Sequence, residues 1–499
     1  MRPAGRRRDA ATIAPAELPA RAAALLGDGY RVALVAGHDD GDRLRAVYLF
    51  TAAYPDRRVE LHVPLRRDHP HVPSLAGLSF PAGRFEREMR DLYGIVPDEH
   101  PQPMRLVRHF HWPRGWHPMR HDAGQPPDFG DVDGPYPFRT VEGPGVYEIP
   151  VGPVHAGLIE PGHFRFSVVG ETILNLKIRL WFVHKGLEKL FDGRRPEHAV
   201  ELAERVSGDT AVGHTLAFCL AVEDALGIAV SPHAQRTRAV LLELERLHNH
   251  VADIGALCND AGHAILNAHA QHVRERLLRI NDEATGHRLL RGGIHPGGAG
   301  LRRPPDPRQL AAIADDVDEI VSLALGHSVV RDRFAGTAVL TLQQATDLGT
   351  LGYVARASGL PTDARFEHPF LDSGPALTAH IHTGGDVLSR FLVRAEEIPT
   401  SIAVITHLLE DTDTTWQPPV PTGTVDGDRS GVGIVEGWRG TIVHRVELSP
   451  SDGTLTRVKI VDPSFFNWPA LPLAMTDAIV PDFPLANKSF NLSYAGNDL

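Results

Sequence analysis

The chain's chemistry rests on its 28 histidines, 51 Lys+Arg and 62 Asp+Glu, because it carries only two cysteines, Cys219 and Cys258. Two cysteines exclude a disulfide framework and a self-contained Cys-rich zinc or iron–sulfur site. Both lie in apolar stretches with helical spacing and read as core residues. The histidines form no metal signature. His117 and His121 have Pro118 between them, His269 and His272 share a helix without a nearby acidic third ligand, and HExxH is absent. The cluster Gly292-Gly293-Ile294-His295-Pro296-Gly297-Gly298 follows no strand and lacks dinucleotide or Walker spacing, so it reads as a tight loop. This chain is not expected to bind a dinucleotide by itself.

Two other regions are more specific. The first is Glu86-Arg87-Glu88-Met89-Arg90-Asp91-Leu92-Tyr93-Gly94-Ile95, followed by His100-Pro101 and Arg105. Read from the residues alone, it is a charged helix ended by Gly94, with a proline-containing exit. The second is an ordered run: Gly152-Pro153-Val154-His155, Pro161-Gly162-His163-Phe164, Gly170-Glu171, then His184-Lys185-Gly186-Leu187-Glu188-Lys189-Leu190. Glu204-Arg205-Val206-Ser207-Gly208-Asp209-Thr210 with His214, Ala221-Val222-Glu223 and Leu244-Glu245-Arg246-Leu247-His248-Asn249-His250 continue it.

The elements that must position these residues divide the chain. Residues 31–36, 45–50 and 58–63 are rich in β-branched and aromatic residues, with a turn at Ala53-Tyr54-Pro55-Asp56 between the last two. A short helix over 22–26 and the charged helix over 85–92 complete an N-terminal α+β unit, residues 1–122. Proline- and aspartate-rich punctuation marks residues 123–146 as a linker. Strands at 147–151 and 164–169 then precede helices over 216–226, 235–258, 274–290, 310–325 and 387–409. In the second of these Val240, Leu241, Leu244, Leu247, Val251, Ile254 and Cys258 make one buried stripe. Alternating segments at 432–436, 441–448 and 456–461 predict a small antiparallel sheet. The fold class is therefore α+β: a small N-terminal α+β domain, then a large, mainly helical domain with small antiparallel sheets over 147–499.

At 499 residues the chain is long enough for two to four domains. A net charge of −11 gives no general attraction to nucleic acid. No apolar run is long enough to span a bilayer, and the basic start, Met1 to Arg8, leads into no apolar signal segment. A cytoplasmic protein is expected.

The first region resembles the ERExxDLxGI…HP…R signature of the C subunit of respiratory complex I, and Trp116 to Asp122 resembles the end of that domain. The second resembles the complex I D subunit and the large subunits of energy-converting nickel–iron hydrogenases such as formate hydrogenlyase. The hydrogenase branch, which shares the fused C-then-D order, is the nearer likeness. In that branch four thiolates, from RxCGxC and a C-terminal DPCxxC, hold nickel and iron. The resemblance places them on Ser207, Thr210, Ser493 and Gly496, none a cysteine. Hydroxyls are poor substitutes for soft, anionic sulfur, so no nickel–iron centre is expected and an active hydrogenase conflicts with these residues. The chain stops where a matured large subunit ends, so no removable tail is expected.

By the same resemblance Glu188 matches a proton-transferring glutamate and Arg439 an arginine that overhangs the metal. With His214, Arg205 and Asp209 they are expected to form a buried ion network lining a metal-free cavity with shifted pKa values. A quinone could be held by His155 or His163, although the usual tyrosine is missing near 207–209. The resemblance implies a small iron–sulfur partner protein, which carries the clusters, and membrane antiporter-like subunits. It implies a place on the cytoplasmic face of the cell membrane and electron transfer coupled to proton movement, with NAD concerning the wider assembly. The alternative is a non-catalytic scaffold with a decayed site.

Overall fold

A computed structural model describes residues 7–155, 159–410 and 429–499. The N-terminal section forms a four-stranded sheet in the order Arg7–Thr12, Arg57–Arg66, Arg43–Ala52, Arg31–Asp39. The first pair is parallel and the others antiparallel. Leu44 and Ala46 to Phe50 are all buried, as expected of a central strand covered on both faces.

The charged helix runs Phe80–Tyr93, capped by the Ser79 hydroxyl and ended by Gly94 at φ 68°. It is not a solvated, salt-bridged surface helix, because most of its charged residues are buried. Glu86 accepts from Ser74 Oγ (2.6 Å) and the Leu75 amide (2.7 Å), while Asp91 accepts from the amides of Leu106, Val107 and Arg108. These carboxylates satisfy backbone donors of neighbouring loops, which is why charge is tolerated inside.

No regular element lies between Asp98 and Val146. Leu106 and Val107 are buried in the core, and charge anchors this stretch as well: Asp133 pairs with Arg105 (3.5 Å), Arg108 (2.6 Å) and Arg114 (2.6 Å).

Beyond it, Val146–Val151, His163–Val169 and Thr172–Arg179 form an antiparallel sheet. Helices Ala211–Leu226, Pro232–Asp260, Ala264–Thr285, Pro307–Gly326 and Val387–Leu409 carry the bulk of the large section. The last sheet, Arg429–Gly437, Gly440–Leu448 and Leu455–Val461, is antiparallel. One apolar core lies in the helical section and contains both cysteines. Burial pushes the Cys258 thiol up to about 12 and raises that of Cys219, so both behave as apolar core groups.

The second core is shared. It joins the N-terminal strands to Trp438, Phe465, Phe466, Trp468 and Tyr494 from the end of the chain. Buried polar ties cross the same contact: Arg445 to Glu60 (3.0 Å), Arg58 to the Val432 carbonyl (2.7 Å) and Lys459 to Glu88 (2.7 Å). Among the described residues no helix is long and apolar enough to cross a membrane.

Candidate functional site

Three segments far apart in sequence meet at one point: the loop before helix Ala211–Leu226, the turn between strands Arg429–Gly437 and Gly440–Leu448, and the C-terminal residues 491–496. The helix start is held from beneath by Glu245, which accepts from the amides of Val212 (2.6 Å) and Gly213 (3.0 Å). Asn249, one turn on, donates to the Asp209 carbonyl (2.8 Å). The Leu244–His250 motif thus works as a platform for the loop. Its Arg246 and His250 turn to Glu397 (3.5 and 2.7 Å), the centre of a buried charge network that includes Arg356.

On that platform Arg439 clamps Asp209 with two parallel bonds, 2.7 and 2.6 Å, and gives its Nε–H to the Asn491 carbonyl (2.6 Å). Its guanidinium lies over the Trp438 ring, 3.9 Å from the centroid, and the indole N–H donates to Thr210 Oγ1 (3.1 Å). Such a fork fixes orientation as well as charge. Burial alone would raise the Asp209 carboxyl. The Arg439 charge and bonds, with those of Ser207 and Thr210, outweigh it and hold the group well below the usual range. Asp209 keeps an open edge, its side chain 40% exposed against 4% for Arg439.

The four positions expected to carry sulfur are in direct contact instead of surrounding an open space. Ser207 Oγ and Ser493 Oγ are 2.8 Å apart, Thr210 Oγ1 donates to Asp209 (3.0 Å), and the Gly496 amide donates to Ser493 Oγ (2.8 Å). At the fourth position a side chain has no room: a Cβ on Gly496 would stand 2.6 Å from the carboxyl carbon of Asp462. Three hydroxyls engaged with one another and with Asp209, plus a glycine pressed against a carboxylate, do not fit a thiolate-held nickel–iron pair.

Asp462 begins a buried relay. It accepts from the Ser464 amide (2.7 Å) and meets His214 Nε2 (3.0 Å), and His214 Nδ1 meets His444 Nε2 (3.0 Å). Burial opposes the Asp462 charge, but the bond and charge of His214 and the charge of Arg439 win and lower its pKa. Burial, then the neighbouring His214, push His444 well down, so it is neutral. Its Nδ1 has no partner among the described residues.

Not all expected members join. Arg205 lies outward, 48% exposed, with Glu201 (3.4 Å) as its partner. Glu188 is buried but sits in a separate cluster, bound by Arg457 (2.8 Å), Lys459 (3.1 Å) and the Ile460 amide (3.0 Å). Lys459 also holds Glu88, so Glu188 faces the N-terminal section. Burial would raise the Glu188 carboxyl, but Arg457 and Lys459 outweigh it and hold it down, while burial raises Glu88. His155 and His163 meet loop carbonyls, Gly162 (2.8 Å) and Gly152 (3.2 Å), across the base of the hairpin between residues 152 and 163. That loop abuts the C-terminal helix: a Cβ on Gly162 would stand 2.5 Å from the Tyr494 ring.

Sequence reading missed Asp462, His444, Trp438, Asn249 and Asn491. Trp438 adjoins Arg439, Asn249 lies within a motif already singled out, and Asp462-Pro463 is a helix-start signal. His444 is one of many strand residues and nothing in sequence marks it.

Comparisons with known proteins give the family. The family model for the respiratory-chain NADH dehydrogenase 30 Kd subunit matches residues 11–128, that for the 49 Kd subunit matches 260–425, and that for nickel-dependent hydrogenase matches 185–258. Formate hydrogenlyase subunit 5 of Escherichia coli (strain K12) is 32% identical over 88% of this chain and 79% of its own. Hydrogenase-4 component G of the same organism is 33% identical over 83% and 73%. The fused C/D subunit of the NADH-quinone oxidoreductase of Phocaeicola vulgatus is 29% identical over 69% and 71%. A chain in the structure of the membrane-bound sulfane sulfur reductase, an archaeal respiratory membrane complex, shares the fold (TM-score 0.64, 24% identity, 71% of this chain and 99% of that one). With the fused section order, the ordered motifs and these likenesses together, the chain belongs to the formate hydrogenlyase and hydrogenase-4 large-subunit family, related to the fused C/D subunits of complex I.

Proposed function

We propose that this chain is a subunit of a membrane-associated, complex I- and hydrogenase-like oxidoreductase, and that it contributes to electron transfer coupled to proton movement without a nickel–iron centre. The observation that carries this reading is the fate of the ancestral site. The charged pair Asp209–Arg439 and the relay Asp462–His214–His444 stand in an ordered hydrogen-bonded arrangement, whereas the positions that the resemblance assigns to sulfur hold hydroxyls and a glycine. Such a site can hold, orient and pass protons. The electron acceptor is a quinone or another small oxidant, with His155 and His163 the residues that the resemblance offers to a quinone. Iron–sulfur clusters belong to a small partner protein, and membrane antiporter-like subunits anchor the assembly on the cytoplasmic face, in keeping with relatives named as parts of membrane-bound complexes.

A second reading, a scaffold whose site has decayed, is favoured by the contact between Ser207 and Ser493, which leaves no open space between those two positions. The two readings separate on the purified complex. Asp209→Asn and Arg439→Gln are expected to lower quinone-reductase turnover by roughly tenfold or more, as for loss of a fixed charge pair that positions the site, while the complex keeps all its subunits. Unchanged turnover makes the chain a scaffold. Stoichiometric nickel together with hydrogen uptake overturns the metal-free reading.

A further inference from the structure

A cavity of about 410 Å³ lies beyond this site, between helix Phe80–Tyr93, the loop holding Tyr136, strand Thr172–Arg179 and Trp468, whose indole donates to the Ser493 carbonyl (3.1 Å). Its volume is that of a small-molecule pocket. Three arginines line it, Arg84, Arg87 and Arg179, and each is at most 8% exposed. Buried guanidinium groups ordinarily face a carboxylate, because an uncompensated charge inside a protein is costly. Among the described residues these three have only neutral acceptors. Arg84 donates to the Phe465 carbonyl and to Asn497 Oδ1 (3.5 Å). Arg87 donates to the carbonyls of Met104 (2.9 Å) and Arg105 (3.1 Å) and to the Tyr136 hydroxyl (3.3 Å). Arg179 donates to the carbonyls of Leu106 and Arg108 (2.9 Å).

The carboxylates whose charge reaches them are engaged elsewhere. Glu88 is bound to Lys459, Asp91 to three backbone amides, and Asp498 to the Val183 amide and Asn497. Arg84 and Arg179 feel the deficit. Burial, then the like charge of Arg87, lowers Arg84 to about 9, and burial lowers Arg179 to about 10. Several buried arginines elsewhere in this fold are treated differently: Arg356, Arg365, Arg445 and Arg457 all sit on carboxylates. Arg390 is also held by neutral acceptors, Ser489 Oγ and the carbonyls of Gly385 and Ala338, but it stands singly, whereas Arg84, Arg87 and Arg179 line one cavity.

Apart from His100 and Gln102, the remaining walls are apolar or aromatic. Arg179 lies over the Tyr136 ring (4.7 Å), and Trp181 stands beside both Arg84 and Arg179 (5.9 and 5.7 Å). We propose that this pocket binds an oxyanion carried on an apolar or aromatic body, a phosphate monoester or diester, whose charge the three arginines neutralise while the rings cover its body. A membrane lipid headgroup and a soluble organic phosphate present the same chemistry.

The test uses the full chain with phenyl phosphate as probe, followed by tryptophan fluorescence and calorimetry. Saturable binding is expected, weakening with salt and roughly tenfold or more tighter than for phenol, the neutral analogue. Arg84→Gln and Arg179→Gln should each weaken it by roughly tenfold, with the circular dichroism spectrum unchanged. Should a variant fail to fold, the phosphate-against-phenol comparison on the unaltered chain decides alone. Retention on phosphatidylglycerol but not phosphatidylcholine vesicles, competed by phenyl phosphate, assigns a lipid headgroup. Phenyl phosphate binding without vesicle retention assigns a soluble oxyanion. Equal affinity for phenyl phosphate and phenol, or affinity unaltered in folded Gln variants, overturns the proposal.

Discussion

Gly496 shows how one residue decides what a site can hold. Its missing side chain leaves the space that the Asp462 carboxylate fills, so restoring a cysteine there means displacing a buried, hydrogen-bonded carboxylate. Gly496→Ala is expected to destabilise the protein by about 1–3 kcal/mol, the usual range for overpacking. In an Asp462→Ala background the same change should cost less, with a coupling of at least about 0.5 kcal/mol in a double-mutant cycle read by denaturant unfolding. Equal costs in both backgrounds would show that Asp462 does not occupy that position. The four positions that the resemblance assigns to sulfur are read from the family motifs alone. The carboxylate that took the place of one was not, because Asp462 and Gly496 are 34 residues apart and only packing brings them together.

Among the elements, helix Pro232–Asp260 does the most positioning, and its motif residues divide by face. Glu245 and Asn249 address the Asp209 loop, while Arg246 and His250 enter the buried network around Glu397. Glu397 holds Arg356 at 2.6 Å with both side chains fully buried. Replacing it by Ala removes the counter-ion that Arg356, Arg246 and Arg365 share and leaves each on one remaining carboxylate or more, Arg356 on Glu436 (3.0 Å) and Arg246 on Glu243 (3.0 Å), so a loss of about 2–4 kcal/mol is expected. A denaturant midpoint unchanged in Glu397→Ala would mean that water or a rearranged neighbour neutralises the network. Helical periodicity identified this helix and its apolar stripe. It did not show that the intervening charged residues are buried too, since one periodicity serves a solvated face and a buried polar face alike.

For the molecule as a whole, two buried histidines tie stability to pH. Burial lowers His38 and His248 to about 4, and both are almost fully enclosed. Their folded pKa lies below the unfolded value of 6.5, so the unfolded chain takes up protons first as the medium is acidified. Stability contributed by the neutral rings is complete above about pH 6.5 and falls as pH drops toward 4, by at most about 3 kcal/mol for each ring. The unfolding midpoint should therefore decline over that window, and His248→Gln should decline less steeply than the unaltered chain. Parallel slopes would show that His248 does not titrate with unfolding. Composition, helix and strand periodicity and ordered motifs were sufficient for the α+β class, the order of the two sections and the missing sulfur, because those features are written locally or along one element. Which charges are buried, which carboxylate meets His214, that Glu188 faces the N-terminal section instead of Asp209, and that three arginines share a pocket without a counter-ion were decided only when distant segments packed. Electrostatic environment depends on neighbours in space, and most of these neighbours lie hundreds of residues apart.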